Sequence, residues 1–189
     1  MTYATIEPPA AEPLTLSEVK AHLRIDHDDE DAPLAGLARA AREHLETVTG
    51  LKLITCGMRL YLDDWPEAGW LELARGPVRA IEAIRVFDAG GEEVSLDLSG
   101  MVLDGSRRPP RLWLRERPLP GQRLNGIEID FTAGFGESGA DVPDTLRRAM
   151  LIHVAQMYEF RGAVPLAMQP AAIPDGYDRL IAPFLPRRL

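Results

Sequence analysis

The chain holds one cysteine, Cys56. No internal disulfide can form, so a reducing compartment, or an assembly held by packing alone, suits it. No apolar run approaches the roughly 18 residues that a membrane-spanning helix needs, and no membrane partner is expected. The opening segment MTYATIEPPAAEPL has neither a basic n-region nor an apolar core, so it is not expected to act as a secretory signal. The zinc spacings C-x-x-C and H-E-x-x-H are missing, as are the G-x-S-x-G elbow and the Walker loop. The histidines, His22, His27, His44 and His153, are scattered. His153 falls within an apolar stretch and reads as a buried structural residue. Cys56 falls on the apolar face of a strand and reads as packing. These absences leave no candidate catalytic residue, no metal ligands and no expected cofactor, and the chain is not expected to be an enzyme. Internal repeats and low-complexity tracts are also missing.

What is present is charge, unevenly placed. The 189 residues carry a formal net charge of −8. Residues 1–104 hold 9 basic and 20 acidic side chains, and residues 105–189 hold 12 and 9. The first part therefore nets −11 and the second +3. An acidic chain is a poor sequence reader of DNA, because phosphate contacts supply most of that affinity. Opposite charge at two ends suits face-to-face or head-to-tail assembly.

Periodicity divides the chain into helix, strand and helix again. Residues 1–13 contain Pro8, Pro9 and Pro13 and read as an extended arm. Thr15-Leu-Ser-Glu18 is a capping box opening a first helix to about Ile25, with Leu16, Val19 and Leu23 on one face. A second helix should run from about Asp31 to Thr49, with a stripe of Leu34, Leu37, Ala41, Leu45 and Val48 and a stop at Gly50. From residue 53 the period falls to two: Ile54, Cys56, Met58, Leu60 and Leu62 alternate with Thr55, Arg59 and Tyr61. Further short strands are expected near Trp70–Leu73, Ile81–Phe87, Glu93–Leu96, Arg111–Arg115 and Ile127–Phe131. Turn residues separate them, which indicates an antiparallel sheet or small sandwich. Pro143 suits a first helical turn, and Leu146, Met150, Ile152 or His153, Met157 and Phe160 carry a core helix to about Arg161. Residues 162–176, rich in Pro, Ala and Gly, read as a linker before a short apolar segment. The fold class is α+β: two N-terminal helices and a long C-terminal helix as a small bundle core, with an inserted antiparallel β-rich region. In domain terms, 1–13 is an arm, 14–52 and 142–162 the helical core, 53–141 the insertion, and 163–189 linker and tail.

Three stretches invite chemistry. Gly134-Phe-Gly136-Glu-Ser-Gly139 matches the dinucleotide fingerprint and would make the chain a nucleotide-binding enzyme. Its context disagrees. Ala140, Asp141, Val142 and Pro143 separate it from the helix, and Glu137, Asp141 and Asp144 would repel phosphate. No strand pattern follows the last helix. A glycine turn carrying the chain from sheet to helix is the better reading. The acidic run Asp26–Asp31 resembles a calcium loop, but Leu37 stands where the bidentate acid belongs, so helix capping and a solvated face are expected. Arg111, Trp113 and Arg115 should share one strand face, with Leu112 and Leu114 on the other. Interleaved arginine and tryptophan suits single-stranded nucleic acid, or a protein interface, which the acidic net charge favours.

The order of several segments resembles a known family. Pro13-Leu-Thr-Leu-Ser-Glu-Val-Lys-Ala-His-Leu-Arg-Ile-Asp26 is followed by the acidic step and Leu34, then by Ala40-Ala-Arg-Glu-His-Leu-Glu-Thr-Val-Thr-Gly50 and Pro77-Val78. Phe131-Thr-Ala-Gly-Phe-Gly136, Val142-Pro143, Arg148-Ala-Met-Leu151 and Tyr158-Glu-Phe-Arg161 complete the series. Together, over roughly residues 13–162, they resemble the head–tail connector (adaptor) proteins of long-tailed bacteriophages and gene transfer agents. The resemblance implies a structural virion protein, assembled in the bacterial cytoplasm and placed at the head–tail junction. Its copies would form a ring, typically dodecameric, beneath the portal protein. They would extend the DNA channel without sequence-specific binding and receive the next head-completion or tail protein. It also implies a helical core with a β-rich insertion between the second and last core helices, and a C-terminal segment docking on the portal. Here that segment would use Tyr177, Leu180, Ile181, Phe184 and Leu185. Arg111, Trp113 and Arg115 would then offer a subunit interface.

Overall fold

The alternation that begins at Cys56 produces the strand around which a β-rich unit is built. β2 (Cys56–Leu62) buries Cys56, Met58, Leu60 and Leu62 and turns Arg59 and Tyr61 outward. The computed structural model describes residues 1–160, 173–174 and 176–185. Its contacts divide the chain into two units, Met1–Ala10 with Thr55–Phe135, and Ala11–Ile54 with the described residues from Gly136 onward.

In the first unit, β1 (Thr2–Glu7), β2, β8 (Ile127–Ala133), β4 (Val78–Phe87) and β5 (Glu93–Ser95) form a sheet in the order β1-β2-β8-β4-β5, antiparallel throughout. A smaller antiparallel sheet has the order β3 (Leu71–Glu72), β7 (Arg111–Trp113) and β6 (Val102–Asp104). Leu60, Ile84, Ile127, Ile129 and Phe131 of the larger sheet share one core with Leu71, Leu73, Leu112 and Leu114. Each such side chain contributes about 1.5–3 kcal/mol of transfer free energy. β6 was not expected; it is three residues long and too short to display a period.

Residues 1–13 depart from the extended arm expected of them. Thr2–Glu7 pair with β2 in the register Tyr3↔Leu60 and Thr5↔Met58. The prolines begin only at Pro8, past the last rung, so they remove no ladder donor. Tyr3 anchors the strand: its ring meets Phe131 edge-on at 6.3 Å, and its hydroxyl accepts the Ala74 N–H at 2.8 Å. The opposite side of the larger sheet carries an ion cluster. The buried Asp130 carboxylate on β8 accepts from Arg59 Nε and Nη2 on β2 at 2.6 and 2.8 Å, and from Arg85 Nη1 on β4 at 2.7 Å.

The second unit contains α1 (Leu16–Leu23), α2 (Asp31–Thr49), α3 (Asp144–Glu159) and α4 (Tyr177–Ile181). The capping box forms as the sequence indicates. Thr15 Oγ1 accepts from the Glu18 N–H at 3.2 Å, and the Thr15 N–H donates to Glu18 Oε2 at 2.8 Å. α2 closes at Gly50, whose φ is +72°. α3 packs against α1, α2 and α4 through Leu146, Ala149, Met150, His153, Val154 and Met157. The acidic run differs from the expected cap. Glu30 occupies the N-cap position of α2 but its carboxylate accepts from the Tyr158 hydroxyl of α3 and makes no capping bond, and Lys20 of α1 gathers Asp28 and Asp31, the latter at 2.8 Å. An ammonium with two carboxylates in reach outcompetes a cap that neutralises no charge. Pro143 likewise stands at the N-cap of α3 and not within its first turn.

Candidate functional site

The register of the small sheet sets out a surface. Leu71, Leu112 and Leu103 stand opposite one another, with Leu71 and Leu112 buried. Alternation places the neighbouring residues on the outer face. One outer row is Glu72–Arg111–Asp104. The next contains Trp113 and its partner Val102, with Trp70 preceding β3 on the same side. Trp113 is 45% exposed, Trp70 44% and Val102 58%. Arg111 is held from two sides: Nη2 donates to Asp104 Oδ2 at 2.8 Å, and its guanidinium carbon lies 5.7 Å from the Trp70 ring centroid. The Ser106 hydroxyl, at 2.6 Å, and Arg111 pull the Asp104 carboxyl down to about 2, so that it is ionised at neutral pH. Such a salt bridge is worth little at a surface, and the cation–π contact about 0.5–1 kcal/mol. Together they restrict the arginine to one geometry.

Of the expected trio, Arg111 and Trp113 share the outer face of β7, with Leu112 and Leu114 buried. Arg115 lies just beyond β7, its aliphatic stem beside Gly100, and is exposed. Trp70 and Val102 complete the face and were not identified from sequence. Their membership depends on which strands pair, and no local pattern encodes that.

The C-terminal residues are not all available for docking. Tyr177 and Ile181 are buried, with α4 packed on α3. The Tyr177 ring lies 5.8 Å from that of His44 and 5.5 Å from that of His153, and the two histidine rings are 5.0 Å apart. Of the five residues expected to dock on the portal, these two therefore pack within the chain. Aromatic and aliphatic area gained a partner on α3 closer than any other protein could offer. Leu180 and Phe184 are half-buried and Leu185 is exposed. The expected linker at 162–176 lies outside the described residues except for residues 173, 174 and 176, and residues 186–189 lie outside them too.

The glycine turn is filled by the protein itself. A Cβ at Gly136 would lie 2.3 Å from Asp141 Cγ, and one at Gly139 would lie 2.3 Å from the Pro13 carbonyl oxygen. The Ser138 N–H and hydroxyl both donate to Asp141 Oδ2, at 2.9 and 3.0 Å. The anion received by this turn is the chain's own carboxylate, which fills the space beside Gly136 and takes the Ser138 donors that a phosphate would need.

Comparison with known proteins agrees with these features. The family model described as phage gp6-like head-tail connector protein matches residues 13–87. No curated protein matches. Among solved structures, a chain from the virion of a native gene transfer agent particle is 32% identical at a TM-score of 0.82, covering 100% of this chain and 97% of that one. A chain from the neck of an empty particle, computed with C6 symmetry, has the same identity, TM-score and coverage. A chain from the neck of a native particle, computed with C12 symmetry, is 33% identical at a TM-score of 0.79 over the same shares. Near-complete coverage at this identity includes both the helices and the sheets, and the chain belongs to the phage gp6-like head-tail connector family.

Proposed function

We propose that this protein is a structural head–tail connector subunit, present in many copies as a ring at the neck of a tailed phage or gene transfer agent particle. The observation that carries the reading is the end-to-end likeness, at 32–33% identity, to chains from gene transfer agent necks computed with C6 and C12 symmetry. The relatives are virion proteins and not enzymes, and the self-filled glycine turn speaks against the nucleotide-binding alternative.

Finer parts of the reading extend it. The helices of the second unit serve as the bundle core that builds the ring, and the β-rich unit is an insertion into it. A dodecamer matches the C12 relative. The portal protein lies on one side, the next head-completion or tail protein on the other, and DNA passes through the lumen without base contacts. An acidic chain supports passage without adhesion. Portal docking falls to Leu180 of α4 and to Phe184 and Leu185 just past it, all of which retain exposure.

Negative-stain microscopy and native mass spectrometry, on the chain alone and mixed with portal rings, test the reading. Rings, free or seated on the portal, are expected. A chain that remains monomeric under both conditions would sink it.

A further inference from the structure

We infer that the outer face of the β3–β7–β6 sheet is the surface by which one copy of this chain grips the next, and that it receives the acidic corner between α1 and α2 of the second copy. The inference rests on the connector reading and specifies the two faces that the ring brings together.

A cyclic ring joins copies head to tail, so two different patches of each copy must fit one another. The sheet face has the anatomy of one of them. Its centre is apolar, with Trp113, Trp70 and Val102 each about half exposed. Tryptophan and arginine are the residues that most often anchor interfaces. Arg111 is already fixed between Asp104 and Trp70, so little rotamer freedom remains to be lost on contact. The rim is basic. Residues 107–117, which flank and include β7, hold five arginines and one acid, Glu116. Arg107 and Arg108 lie in the turn leading into β7, and Arg115 just past its end.

Nucleic acid is the less suitable occupant. The row through Arg111 carries Glu72 on one side and Asp104 on the other, two carboxylates to one guanidinium. A phosphate backbone would meet net negative charge along this row. A folded protein can put apolar surface on the tryptophans and acids on the basic rim.

The complementary patch lies on the same chain. Asp26, Asp28 and Asp29 are exposed, within a run of six residues that contains five acids and His27. Lys20 answers Asp28 and Asp31. Asp29 meets His27 at 3.8 Å and is nearly fully exposed. Between copies this acidic corner meets the arginine rim, and the rise of α2 behind it offers apolar surface at Pro33 and Ala35, both exposed.

The test uses Trp113→Asp, Arg115→Glu, Asp29→Arg and the double variant Arg115→Glu/Asp29→Arg, read by ring formation alone and on portal rings. All three sites are exposed, and unchanged melting temperatures confirm that the variants fold. Wild type is expected to form rings. Trp113→Asp should need about tenfold or more protein to assemble, as loss of an interface anchor does. Each charge reversal should weaken assembly, and the double variant should recover it. Rings of Trp113→Asp at wild-type concentration overturn the inference and leave the connector reading intact. So does a variant that forms rings but no longer holds the portal or the next protein, because the face then serves another partner. A double variant no better than its singles overturns the acidic corner as occupant. Absence of rings from wild type overturns the connector reading itself.

Discussion

At the scale of single residues, the turn at 134–139 and the ring cluster around Tyr177 make different demands. Gly136 and Gly139 are required because a methyl group has no space: it would overlap Asp141 in one case and the Pro13 main chain in the other. Gly139→Ala should cost about 1–3 kcal/mol, because main chain cannot yield as a flexible side chain can. Urea denaturation measures it, and a midpoint equal to wild type would refute the tight turn. Tyr177 is closely surrounded but has no hydrogen-bond partner for its buried hydroxyl among the described residues. Burial, with the Asp178 carboxylate adding to it, pushes the phenol up to about 12 from an ordinary value of 10.0. A phenol that resists ionisation when folded stabilises the fold fully below pH 10, and that contribution is lost as pH rises toward 12. Tyr177→Phe should therefore be at least as stable as wild type at neutral pH and should lose this part of the alkaline transition. Tyr177→Ala should cost about 3–5 kcal/mol by opening a cavity between α3 and α4. Parallel denaturation curves from pH 8 to 12 check both.

At the scale of elements, the most exposed dependence is that of β1 on β2. β1 is an edge strand whose side chains are mostly exposed, so its hold comes from ladder hydrogen bonds and Tyr3. Deleting Met1–Ala10 should uncover the edge of β2 and remove the Tyr3 ring from Phe131. A loss of melting temperature with time-dependent aggregation is the expected result, read by differential scanning and light scattering. A deletion that melts as wild type would return residues 1–10 to the role of an arm. Across the same sheet, Asp130 joins β2, β8 and β4. Burial alone would raise its carboxyl, but the guanidinium groups of Arg59 and Arg85 outweigh that and lower it. A depressed carboxylate contributes stability that is present above its ordinary value of 3.8 and is lost as pH falls below it. Asp130→Asn should cost about 1–3 kcal/mol at pH 7, because it replaces the buried carboxylate shared by Arg59 and Arg85 with a neutral amide and leaves Glu128 and Glu93 as their remaining acidic partners. The loss should shrink as both proteins are acidified. Parallel urea titrations at pH 7 and pH 3 measure it, and an equal loss at both would show that charge is not the cause.

At the scale of the whole molecule, legibility followed sequence distance. The helices could be read because their signals are local: a hydroxyl three residues before a glutamate at Thr15, a stripe at helical spacing from Leu34, a stop at Gly50. β2 was legible from alternation alone. What escaped depends on partners far away in the chain. Thr2–Glu7 looks like an arm until β2, more than fifty residues on, lies beside it. Trp70 and Val102 look unremarkable until β7 sets Trp113 between them. Lys20 gives no hint that it will gather Asp28 and Asp31. If assembly uses the arginine rim against an acidic patch, ring yield should fall as salt shortens the Debye length from about 10 Å at 0.1 M to about 3 Å at 1 M. Mass photometry across that range would detect it, and rings that strengthen with salt would point to an apolar contact alone.

The division of the chain bears on how it is made. Neither unit is a continuous piece of sequence: one uses the beginning and the middle, the other what flanks the middle. α1 and α2 leave the ribosome early, yet the helix they pack on begins only at Asp144. At roughly 5–20 residues per second, translation from Thr49 to Asp144 takes several seconds. During that time the whole β-rich unit can finish, while the apolar stripe of α2 waits uncovered. The helices synthesised first are thus the last to find their core, and chaperone demand should peak before α3 emerges.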